Sequence, residues 1–257
     1  MKAKFYNVSL DHKLAAQEEL YNDKSKVTSL TLDYHVSQAQ QTRTNSESQS
    51  IEVVMYANKK EALYLSPKLM LNYYFDPEDF LMPERPETQF IEDAQEIQAF
   101  VEQTFRLTTG RELPQDIIIS LCAAEEMKDI IEAHNSHWSD GIQGFAINRK
   151  PFISNIFIRK DALDKVMLVV GHEIGHVLSM PLKKKHDEEA KAFAFSLAWM
   201  EAIKQHNIAD LSNSIKLDKP TQNGLHNVAL DFVLNLVKTG KKASEIYSEL
   251  INNVLSI

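Results

Sequence analysis

Between Val166 and Lys183 the chain carries a single charged residue, Glu173. The rest of that stretch is Val, Met, Leu, Ile and Gly, with two histidines, one serine and one proline. An element this apolar is buried on every side. It does not cross a bilayer, because no window of the chain approaches the roughly 18 uninterrupted apolar residues a membrane helix needs. The spacing predicts a helix over 161–180, closed by Pro181, which removes a backbone donor. Any fold of this chain must therefore build its core around a helix carrying His172, Glu173 and His176.

Positions i and i+4 of a helix lie on one face, one turn apart. His172 and His176 have that spacing, so two imidazoles can supply two of the three protein ligands of a catalytic zinc ion. Glu173 projects about 100° around the helix from His172. That places it within reach of a metal-bound water without making it a ligand. The chemistry suited to this set is attack on a carbonyl, with the ion acidifying water and polarising the carbonyl and Glu173 taking the proton. The same five residues without a metal would bury three costly polar groups in an apolar helix.

The motif and its uncharged flanks, Val169-Val170-Gly171 before and Val177-Leu178 after, resemble the zincin clan of metallopeptidases. Glu188-Glu189-Ala190-Lys191-Ala192-Phe193-Ala194 narrows the resemblance to the small gluzincins, which take their third ligand from a glutamate on the next helix. It spans about residues 142–206. In those families the usual pattern is Glu-x-x-Ala-Asp or Glu-x-x-Ala-Asn. Aligned on Ala190, the ligand position falls on Asp187, and Lys191 replaces the Asp or Asn.

The turn after Pro181 and the climb of a second helix point instead to Glu188 or Glu189. The stripe of Glu189 (Ala192, Phe193, Ser196, Met200, Ile203) is the one suited to pack on the first helix, so Glu189 is taken as the third ligand. Glu188, Asp187 and His186 are the alternatives. Acids at 187 and 188 also suit a helix N-terminus, and His186 suits a lysine-rich turn. His226, downstream, is a candidate for steadying the oxyanion. His134 and His137 read as loop residues, Arg149 and Arg159 as strand-end charges, and Trp138 and Trp199 as core. Cys122 reads as a small buried hydrophobe.

The resemblance implies a zinc-dependent peptidase acting on a peptide or protein substrate. The alternative is a metal-binding regulatory or interaction protein on the same fold without peptidase activity. The net charge of −8 argues against a nucleic-acid partner, which calls for a basic face. Cys122 is the lone cysteine, so no intrachain disulfide forms and a reducing compartment fits. The first residues lack the apolar run of a signal peptide, so no membrane association and a cytoplasmic location are expected.

Gly is scarce at 7 residues, which favours helix over an all-β architecture. The fold expected is α+β: a mostly helical, minimal zincin-like catalytic domain with a small sheet whose edge strand precedes the active-site helix. Strands are expected at 117–121, 142–148 and 154–159, and further helices at 88–106, 123–133, 187–206, 225–238 and 243–254. Zincins use the edge strand to hold substrate backbone by strand addition. Pro77, Pro83 and Pro86 mark the expected boundary between an N-terminal mixed region, 1–85, and the catalytic domain, 86–257. Within the first region, 30–36 and 51–56 read as a hairpin with a polar tip at 38–50.

Overall fold

The strand Ile117–Cys122 (β2) is buried along its whole length, as its run of three isoleucines before Ser120 requires. It is a central strand of a four-stranded sheet in a computed structural model of the chain, which describes residues 4–7, 75–217 and 228–257. Lys4–Asn7 (β1) and Ser154–Arg159 (β4) pair with β2 in parallel, and Gly144–Ile147 (β3) pairs with β4 antiparallel, giving the order β1-β2-β4-β3. The two expected strands at 142–148 and 154–159 thus meet as a pair, with Phe145 opposite Phe157 and their rings 5.0 Å apart. In β4, Ile156 and Ile158 alternate with the less buried Asn155, Phe157 and Arg159, and the two isoleucines join the core.

Among the described residues six helices accompany the sheet: Ala94–Thr109 (α1), Ala124–Ala133 (α2), Leu163–Val177 (α3), Lys185–His206 (α4), Val228–Lys238 (α5) and Ala243–Ile251 (α6). The architecture is α+β and mostly helical, with edge strand β3 preceding α3. Helix α2 packs on β2 and β4, while α3 packs on β3, β4 and α4. Helix α4 also meets α1, α5 and α6, so it is enclosed nearly all round. That enclosure explains why its buried residues run without a gap from Glu189 to Met200 rather than along one stripe. The two C-terminal helices pack on α4. No helix among the described residues is long and apolar enough to cross a membrane.

Helix α1 starts later than the apolar spacing alone predicts. Asp93 accepts from the Gln95 amide, and Glu96 reaches back to the Asp93 amide, a capping box that fixes the first turn at Ala94. Residues before it run extended, with Phe90 bridged to Ala162 and the Ile91 amide donating to the Asp161 carbonyl.

All the described residues belong to one compact unit, formed from 1–7 and 68–257; residues 8–67 form the other unit and lie outside the described residues, as do the hairpin 30–36/51–56 and its tip. The unit therefore includes β1 and the segment 75–85, both placed N-terminal to the catalytic domain on the proline pattern. The prolines do mark irregular chain, but Phe75, Phe80 and Leu81 bury their side chains in the same core as α3. A 3-10 turn, Pro77–Phe80, places Pro77 in its first turn.

Candidate metal centre

Helix α3 has no side-chain cap at Ala162, and its first turn is fixed from outside. Arg85 Nε and Thr88 Oγ1 both donate to the buried Asp164 carboxylate. At the other end, the orphan carbonyls that a helix C-terminus leaves are met by side chains from distant elements. Asn148 Nδ2 donates to the carbonyls of His176 (2.6 Å) and Ser179 (2.8 Å), and Lys191 Nζ donates to that of His176 (3.1 Å). The helix is pinned at both ends, with the histidines in its last two turns.

His172, His176 and Glu189 converge. His172 Nε2 lies 3.8 Å from Glu189 Oε2, and His176 Nε2 lies 3.9 Å from the same oxygen. One ligand atom from each falls within 4.8 Å of the other two, so these three residues could hold a metal ion. Zinc bonds of about 2.0–2.2 Å put the donors of one ion about 3–4 Å apart, so this set needs only small closure around it. Two imidazole nitrogens and one carboxylate oxygen form a donor set that suits zinc.

Each imidazole is held through its other nitrogen, so that Nε2 faces inward. His176 Nδ1 donates to Glu188 Oε1 at 2.9 Å, and His172 Nδ1 lies 3.2 Å from Ser196 Oγ. Phe75 stacks on the His172 ring at 4.5 Å and 17°, while Phe193 meets it edge-on at 4.9 Å. The two imidazoles stand nearly perpendicular, with centroids 5.0 Å apart.

Burial and mutual charge set the protonation of the group. Burial pushes the Glu173 carboxyl up to about 7, against the pull of His176 and with a further push from Glu189. Among the described residues nothing donates a hydrogen bond to that carboxylate. Burial also raises Glu189. Burial works against a charge on His176, but the Glu188 hydrogen bond and the charges of Glu189 and Glu173 raise it to about 9. His172 lies well below its ordinary value because it is buried and beside His176.

The acids before Glu189 are otherwise engaged. Asp187 accepts from Ser256 Oγ (2.9 Å) and from the Ile257 amide (2.7 Å). Glu188 accepts from His176 Nδ1, Lys191 Nζ and the Leu182 amide. His186 is exposed on the first turn of α4 rather than in the lysine-rich turn before it. His226 lies outside the described residues. His137 is exposed, and His134 Nδ1 bonds the Ile130 carbonyl within its own helix end. Trp199 is core, with Nε1 donating to the Met167 carbonyl; Trp138 instead sits half-buried in a loop, bonded to Asp140. Arg159 Nη1 donates to the Asp140 carbonyl, and Cys122 is fully buried.

Four residues of this site carry no function in the sequence reading: Ser196, Lys191, Asn148 and Phe75. Ser196 was legible, since it shares the Glu189 stripe seven residues on. Asn148 and Phe75 reach α3 from far along the chain, and only the fold brings them there. No protein-family model, no curated protein and no solved structure matches this chain.

Proposed function

We propose that this protein is a zinc-dependent peptidase, with one ion held by His172, His176 and Glu189 and with Glu173 as general base. The observation that carries the reading is the convergence of His172 Nε2, His176 Nε2 and Glu189 Oε2 on one point. When bound, zinc acidifies a water molecule and polarises a carbonyl oxygen. Glu173 supplies the proton handling. A carboxyl raised to about 7 takes a proton and returns it near neutral pH. Its neighbour His172 holds the metal through Nε2 while Ser196 and the two phenylalanine rings fix the imidazole plane.

The substrate class follows from β3. Among the described residues this strand pairs on one side only, with β4. An unpaired strand edge beside the helix that carries the histidines accepts an extended peptide backbone. A peptide or unfolded protein segment fits that geometry.

The test is metal content by plasma mass spectrometry, beside hydrolysis of a mixed peptide library. Wild-type protein is expected to carry about one equivalent of zinc and to cleave peptides. His172→Ala is expected to lose the metal. Glu173→Gln is expected to keep the metal and lose at least about 100-fold in turnover. Zinc without hydrolysis would turn the reading to a metal-binding regulatory protein. Protein that takes up no zinc would sink it.

A further inference from the structure

Lys191 is fully buried, at 0% exposure. A buried ammonium is stable only when its donors are met, and replacing such an ion pair with apolar residues is often no less stable. The partners of this one are therefore informative. Its Nζ donates to Glu188 Oε1 at 2.8 Å and to the His176 carbonyl at 3.1 Å. Both contacts end on His176, one through its backbone and one through the carboxylate that holds its ring. Glu188 Oε1 is shared between Lys191 and His176 Nδ1, and Oε2 takes the Leu182 amide. A glutamate with both oxygens so engaged is held away from the point where His172, His176 and Glu189 meet.

We infer that Lys191 is a positioning residue for the metal centre: it anchors Glu188 so that this carboxylate orients His176 and stays out of the coordination sphere, leaving Glu189 as the acidic ligand. The inference rests on the metal reading above. Glu188 and Glu189 are adjacent on one helix turn, and both lie on the side of α4 that faces the histidines. A second carboxylate would close the position that a catalytic site keeps open for water and substrate. Lys191 discriminates between the two acids because it stands three residues after Glu188, where a helix brings side chains together.

The experiment loads purified full-length protein with cobalt(II) and zinc and compares wild type, Lys191→Met, Glu188→Gln and the double variant. The readouts are the visible absorption of the cobalt form and the zinc dissociation constant by competition with a chromophoric chelator. Lys191→Met is expected to change the cobalt band intensity, reporting an altered coordination number, and to shift zinc affinity by about 10- to 100-fold. In the Glu188→Gln background the same substitution is expected to change both readouts less than about twofold, because Lys191 acts through Glu188. If Lys191→Met does not fold, Glu188→Gln against the double variant, which removes both charges together, carries the comparison.

A Lys191→Met protein with wild-type cobalt spectrum and zinc affinity, even one of lower thermal stability, overturns the inference and leaves the metal reading standing. Equal effects of Lys191→Met with and without Glu188 overturn it in the same way. Wild-type protein that takes up neither metal overturns both.

Discussion

His176 must give up a proton before its Nε2 can bind an ion. With the ring raised to about 9 by Glu188 and its acidic neighbours, metal-free protein at pH 7 holds that proton. Zinc binding between pH 7 and 9 is therefore expected to release about one proton, and its apparent affinity to rise up to about tenfold per pH unit in that range. Calorimetry in buffers of different ionisation enthalpy reads the proton directly; binding heats that do not depend on the buffer would refute the assignment. The stability of the metal-free fold moves in the opposite direction with pH. A histidine whose folded value lies above its unfolded 6.5 stabilises the metal-free fold fully below 6.5, and that contribution is lost as pH rises through 9. Glu173, at about 7, has lost its own contribution by then. The melting temperature of chelator-treated protein is expected to fall from pH 7 to 9, and a flat profile would contradict it. At this scale the histidines and Glu173 were legible because helical periodicity alone puts His172 and His176 on one face. Lys191 was not. A lysine beside two glutamates reads as a solvated face, and only the packing of α4 against α3 reveals that its ammonium is enclosed.

Helices α3 and α4 meet through two glycines of α3, Gly175 within the motif and Gly171 just before it. A Cβ at Gly175 would lie 2.9 Å from Ala192 Cα and 3.0 Å from Phe195 Cβ, and one at Gly171 would lie 2.4 Å from the Trp199 ring. Gly175 is the sharper case, because its neighbour is backbone and cannot rotate away. Ala192 stands three residues from Glu189, so pushing α4 outward there carries the Glu189 carboxylate away from the histidines. Gly175→Ala would gain about 1 kcal/mol in helix propensity and lose about 1–3 kcal/mol to overpacking. A net loss is expected, with a lower melting temperature and zinc affinity reduced by about tenfold or more. A variant more stable than wild type with unchanged zinc affinity would show that the helices do not meet as closely as this. The element pattern was largely legible: 117–121 and 154–159 from an apolar run and an alternation, α3 from its uncharged stretch, and α5 and α6 from apolar spacing. The start of α1 was not, because the Asp93–Glu96 box overrode the apolar residues before it.

On the scale of the whole molecule, chain order and spatial order part company. Residues 4–7 lie in register with 118–121 as the outer parallel strand, although more than a hundred residues separate the two segments in sequence. Asn7 Oδ1 accepts from the Ala94 amide at the start of α1, and Gln95 Nε2 donates to the Phe5 carbonyl, so β1 is tied to that helix as well as to β2. None of this was visible in a four-residue strand, too short for an alternation to register against its surroundings. At the far end, Lys184, just before α4, and Asp187 on its first turn hold Ser256 and Ile257, so β1 and the segment after α6 both brace the framework that carries the site. Phe5 tests this arrangement, since its side chain is 5% exposed and belongs to the same core as Ile119 and Val101. If β1 is an integral strand, Phe5→Ala costs about 3 kcal/mol, the lower end for a buried phenylalanine because the strand is an outer one. Urea unfolding followed by the fluorescence of buried Trp199 reads that loss as a shift in midpoint. A loss below about 1 kcal/mol would mean that the sheet is complete without β1. In that case the framework that carries the site is complete without residues 4–7.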